Sequence, residues 1–139
     1  EKENTMLSIL IHQDYNTLID NNIYPSIAVK IVDHEFSEIG NCVERRNANL
    51  RMCSISEYSE NKDSENMLVK IGGTPSLIQD EEYYYKELEE QGFSFFLSID
   101  EDGYNDDVLI GSYPFGYGAL YLYKHHITNE IIAGFWQCS

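Results

Sequence analysis

Hydrophobic and polar positions in this chain alternate in short runs broken by turn-forming residues, and few runs are long enough for a helix. Ser26–His34 (SIAVKIVDH) is β-branched and apolar on both faces, which predicts a buried strand. Leu50–Ser56 and Met67–Ile71 predict two more, the second ended by Gly72 and Gly73. FSFFLSID predicts a strand and EDGYNDD the turn after it, while GALYLYKHH and EIIAGFWQC alternate as the two arms of a hairpin across ITN. One stretch supports two readings. In NTMLSILIHQDYNTLID, Leu7, Leu10, Ile11, Tyr15, Leu18 and Ile19 fit a helical stripe, whereas MLSILI fits a strand.

A short helix is predicted over EEYYYKELEEQ. Asp80 offers an N-cap, Glu81 and Glu82 fall in the first turn where the helix dipole favours anions, and Gly92 is placed to stop it. GNCVERRNAN and SEYSENKDSEN are polar, turn-rich segments. The expected class is therefore α+β, a largely antiparallel sheet with one or two short helices, because the late strands lie too close together for helical crossovers. The 139 residues suit a single domain, 1–139, large enough to fold on its own core. Phe93, Phe95, Phe96, Tyr121, Tyr123, Phe135 and Trp136 sit on these strands and are expected in that core.

Charge changes the picture most. The chain carries 24 acids and nine bases, a net charge of −15. From Asp80 to Asp107 there are eleven acids and a single base, Lys86. A field of this sign repels phosphate backbones and anionic headgroups, so nucleic acids and membranes are poor candidate partners and a basic protein is a good one. Three cysteines, Cys42, Cys53 and Cys138, have no CxxC spacing and suit a reducing cytoplasm better than a disulfide framework.

Candidate chemistry is sparse. KIGGTPSLIQD, Lys70 to Asp80, lacks the lysine and hydroxyl that a phosphate loop places after its glycines; Gly72 and Gly73 are expected to supply a bulge or positive φ, Pro75 to stiffen a corner, and Gln79 to be a buried amide pinning that corner. SIDEDGYNDD alternates acids at Asp100 and Asp102 but puts Gly103 and Gly111 where a calcium-binding EF-hand loop needs other residues. His125 and His126 are adjacent on an expected strand, so they should point to opposite faces and not share a metal; His12 and His34 lack ligand spacing. No nucleophile is paired with a base at a recognisable spacing, and the expectation is a chain without enzymatic activity, cofactor or metal.

Four pieces in order resemble a known family. KIGGTPSLIQD resembles a GG-x-P-x-x-I-Q corner, FFLSIDED a strand ending in Q-I-D at a turn, GYGALYLYKH a G-x-L-Y-x-F strand, and GFWQCS a closing x-x-Q-C strand. Over about residues 67–139 the chain is similar to the YwqG-like family, a bacterial domain of unknown function, with Ser98 where that family tends to have glutamine. The resemblance implies a β-rich α+β fold, assigns Gly72, Gly73, Pro75, Gln79 and Gln137 to corner geometry, and supplies no activity.

Two readings follow. The first is a small acidic cytoplasmic protein of the immunity or antitoxin type, which neutralises a basic toxin domain such as a nuclease. Its partner-binding residues would be Glu81, Glu82, Tyr83, Tyr84, Asp100, Glu101, Asp102, Tyr104, Asp106 and Asp107, the acids steering and the tyrosines anchoring. The second is a YwqG-like protein-interaction or ligand-binding module.

Overall fold

The computed structural model describes residues 5–37, 57, 67–104 and 113–139. Its architecture is α+β and largely antiparallel: a two-stranded sheet, a four-stranded sheet, one short helix and several 3₁₀ turns. The expected strand Leu50–Ser56, Cys42, Cys53, Asp106 and Asp107 lie outside the described residues.

The two readings of the first segment resolve in favour of strand. β1 (Thr5–Ile11) pairs antiparallel with β2 (Val29–Glu35), Ile9 opposite Ile31 and Ile11 opposite Val29. Alternate side chains, Leu7 and Ile9, then face a shared core, which a helical stripe would have presented differently. Tyr15–Thr17 and Ile19–Asn21 form 3₁₀ turns, which account for the helix-like spacing that follows.

The second sheet is a meander of β3 (Val69–Ile71), β4 (Phe93–Asp100), β5 (Ala119–His125) and β6 (Ile131–Gln137), in that order. Its two faces are both covered. Leu120, Leu122, Ala133 and Trp136 meet Ala28 and Val29 beneath the β1–β2 pair. Tyr121, Tyr123, Ile132 and Phe135 point the other way, against Tyr84 and Leu88. Period-two alternation along β5 thus serves two cores at once. In β6 the alternation slips at Gly134, where Tyr121 pairs with Phe135 but Leu122 pairs with Ala133. A Cβ at Gly134 would stand 2.6 Å from Tyr123 Cδ2 and 3.0 Å from Leu88 Cδ1, so glycine is what lets that ring lie against the strand. The outer edge of β6 is closed by Asn22–Tyr24: Trp136 N donates to Asn22 O (2.9 Å) and Tyr24 N to Gly134 O (2.8 Å).

The expected helix over 81–91 is shorter and broken. Glu82–Tyr84 form a 3₁₀ turn, Tyr85 leaves the helical region, and α1 runs only from Lys86 to Glu90. Asp80 is not its cap; Glu81 precedes the 3₁₀ turn, Tyr85 precedes α1, and neither supplies a side-chain cap. Three successive tyrosines lose side-chain freedom in a helix, while Tyr84 and Leu88 are held by the sheet, so packing and not capping sets the path. Gly92 does end the element, at φ 88°. No helix among the described residues is long and apolar enough to cross a membrane.

Candidate binding face

The corner between β3 and α1 carries the site. Gly72 and Gly73 adopt φ values of 68° and 71°, and a Cβ at either would meet nothing within 4 Å. Their purpose is backbone conformation, as the sequence indicates. The corner is then clamped by two buried side chains of the sheet. Tyr121 donates from its hydroxyl to Ser76 O (2.8 Å) and accepts from Ile78 N (3.3 Å). Gln137, 0% exposed, accepts at Oε1 from Ile78 N (3.0 Å) and Gln79 N (3.2 Å) and donates from Nε2 to Gln79 O (2.8 Å). The buried amide expected at Gln79 is therefore Gln137. Gln79 itself is exposed, and its side-chain oxygen accepts from the Tyr84 hydroxyl.

Beyond the clamp the chain presents acids. Asp80, Glu81, Glu82, Glu87, Glu89 and Glu90 are all exposed, with Lys86 as their one basic neighbour in this segment. Lys86 pairs with Glu82 at 3.1 Å, the only ion pair among the described residues. Tyr83 is 61% exposed and stacks on Tyr84 at 4.3 Å. Tyr84 is buried against Phe135, and burial pushes its hydroxyl up to about 12, so it stays a donor.

Register gathers the second acidic turn at the same end of the sheet. Asp100 pairs with Ala119, and Ala119 with Gln137, so Asp100 shares a cross-strand row with the residue that clamps the corner. Asp100 Oδ1 accepts from Asp102 N (3.0 Å), closing a 3₁₀ turn at Glu101–Gly103. Asp102 is exposed; Tyr104 is half-buried, its ring 6.2 Å from Tyr113.

Glu101 departs from expectation. It is 1% exposed and points inward, accepting from Phe115 N (2.9 Å) and Gly118 N (3.3 Å). Burial raises its pKa above the ordinary carboxyl value, against the opposing pull of those N–H groups. Glu101 holds the 115–118 loop to the sheet and is not a surface acid. Tyr84 is corrected likewise, from contact residue to the support beneath Tyr83. The sequence pattern gives no hint of either, since the acid next to Asp100 and Asp102 has the same local composition as its exposed neighbours.

A cleft of about 340 Å³ opens between the corner and α1. Phe95 and Tyr123, paired across β4 and β5, form its floor. Thr74, Pro75 and Leu77 of the corner make one wall, and Asp80, Tyr85 and Glu89 the other. None of these residues was a candidate from sequence, because they come from four separate elements.

The histidines are also placed differently. β5 ends at His125, so strand alternation does not reach His126, and the two rings stack at 5.0 Å instead of pointing apart. His125 Nδ1 accepts from Ile127 N and Thr128 N at the hairpin turn. No group of three metal-ligating side chains gathers among the described residues. Cys138 is half-buried and free, and burial pushes its thiol up.

Set against family models, curated proteins and solved structures, the chain matches none.

Proposed function

We propose that this chain is a small acidic binding protein of the immunity or antitoxin type, acting in the cytoplasm to neutralise a basic toxin domain such as a nuclease. The observation that carries the reading is the exposed acidic run Asp80–Glu90 with Tyr83 upon it, held by buried side chains beside an apolar-floored cleft. Five of the six carboxylates in the run have no cationic partner among the described residues, so their field is available to an incoming one. Such a field steers association, and an exposed tyrosine on a fixed support supplies the desolvated contact that charge alone does not. The proposal gives the chain no catalytic role.

The test uses a partner that co-purifies with the native chain and whose toxic activity can be assayed. Association is measured at low and high salt for the wild type, for the combined Glu81→Gln, Glu87→Gln and Glu90→Gln variant, and for Tyr83→Ala. Association should slow with salt and by about tenfold in the charge variant, while Tyr83→Ala should speed dissociation. A charge variant that associates as fast as wild type at low salt, or a partner whose activity the chain leaves intact, refutes the reading. The YwqG-like ligand-binding alternative is favoured by the cleft, and a metabolic gene neighbourhood in place of a toxin gene would support it.

A further inference from the structure

The loop at 115–118 is tied down by one side chain. Glu101, 1% exposed, accepts from Phe115 N (2.9 Å) and Gly118 N (3.3 Å), and Tyr117 N also bonds to its carboxylate. Glu101 N donates in return to Gly118 O (2.9 Å), while Gly116 N stays within the turn, on Tyr113 O (3.1 Å). Glu101 is in no ion pair among the described residues. The shape so held is strained. Gly116 and Tyr117 are both left-handed, at φ 63° and 61°, and the Cβ of a tyrosine disfavours that region. Tyr117 is 57% exposed, with its ring on Tyr113 and in neither core, so no core contact enforces its conformation.

Two groups of the core between the sheets lie against this loop. Phe115 packs on the Trp136 ring at 5.8 Å, and a Cβ at Gly116 would stand 3.6 Å from Cys138 Sγ. Trp136 is 4% exposed, and its Nε1 is the one buried side-chain polar atom without a hydrogen-bond partner among the described residues. Buried N–H groups are ordinarily paired, so this one gains wherever water can reach it.

We propose that residues 115–118 form a flap that opens while the sheet stays folded, with the Glu101 carboxylate as its latch and the Trp136 indole and Cys138 thiol beneath it. Opening hydrates the carboxylate and the indole and relaxes Tyr117. The device does not depend on the binding reading above. Its latch titrates. The Phe115, Gly118 and Tyr117 N–H groups favour ionised Glu101, the charge of Asp100 disfavours it, and Cys138 in turn feels the Glu101 charge; Asp102, next in the chain, is exposed. Burial outweighs the N–H groups and raises the Glu101 pKa in the closed flap, whereas hydration in the open flap returns it to the ordinary 4.5. Protonation therefore favours closure below 4.5, and this advantage is lost as pH rises through the closed-state pKa. Rising pH loosens the flap; acid shuts it.

Hydrogen exchange of the full chain, followed by NMR and divided by intrinsic rates, tests this. Phe115 N–H, Gly118 N–H and the Trp136 indole N–H should share one protection factor. It should lie below that of Leu120 and Leu122 in β5 and respond less to urea. It should fall by up to about tenfold per pH unit above 4.5 and level off at the pKa read from the Glu101 carboxyl 13C resonance. Glu101→Gln should remove this pH dependence; if that variant does not fold, the wild-type titration decides alone. Protection and urea dependence equal to those of Leu120 and Leu122 would mean that only global unfolding uncovers these groups, and overturns the flap. An indole that stays protected while the two amides exchange overturns its place beneath the flap. Protection that rises with pH or ignores it, or a Glu101 titration at or below 4.5, overturns Glu101 as the latch.

Discussion

Replacing Gln137 with leucine removes the clamp on the corner at nearly constant side-chain volume. Three hydrogen bonds disappear: those from Ile78 N and Gln79 N to Oε1, and that from Nε2 to Gln79 O. A net contribution of ~0.5–1.5 kcal/mol each applies, because Ile78 and Gln79 are exposed and water can replace part of what is lost. Ile78 N also keeps the Tyr121 hydroxyl at 3.3 Å, so the total falls near ~2–3 kcal/mol. For a chain of this size that corresponds to a fall in Tm of roughly 6–12 °C. The assay is urea and thermal unfolding of Gln137→Leu, Tyr121→Phe and the double variant. Since the two side chains share Ile78 N, each single variant leaves that donor one partner and the double leaves none. The double variant should therefore lose more stability than the sum of the singles. A leucine variant as stable as wild type, or strict additivity, would show that packing and not the amide holds the corner.

Glu101→Gln keeps shape but removes a titrating group. Because burial raises the folded-state pKa of Glu101 above its ordinary 4.5, its favourable protonation is present below that value and is lost as pH rises through the folded pKa. Wild type should thus lose part of its advantage over Glu101→Gln as pH rises from 4.5 through the raised folded-state pKa in urea unfolding, and a gap that widens with pH contradicts the assignment. Gly134→Ala should destabilise by ~1–3 kcal/mol as Tyr123 and Leu88 give way. Gly118→Ala should cost more, since its Cβ would lie 1.8 Å from Gln137 O and 2.5 Å from Phe115 O, backbone atoms that cannot swing aside. The reverse order in denaturant midpoints would refute the register around these strands.

Local pattern by itself determined the β4–β5–β6 meander, the positive φ at Gly72, Gly73 and Gly92, and the burial of Tyr121, Tyr123, Phe135 and Trp136. These depend on neighbours two to four positions apart or on what glycine alone tolerates, and such information is written in sequence order. Tertiary structure decided what depends on distant partners. MLSILI is a strand because β2 lies beside it, and the expected 81–91 helix breaks at Tyr85 while the sheet holds Tyr84 and Leu88. Gln137 and not Gln79 is the buried amide because strand register brings it beneath the corner. Glu101 turns inward because the loop at 115–118 offers it N–H groups, though its local sequence is indistinguishable from that of exposed Asp102. The cleft is the furthest case. Its floor joins Phe95 to Tyr123 and its walls join Pro75 to Glu89, pairings that exist only after two strands and a corner have folded against each other.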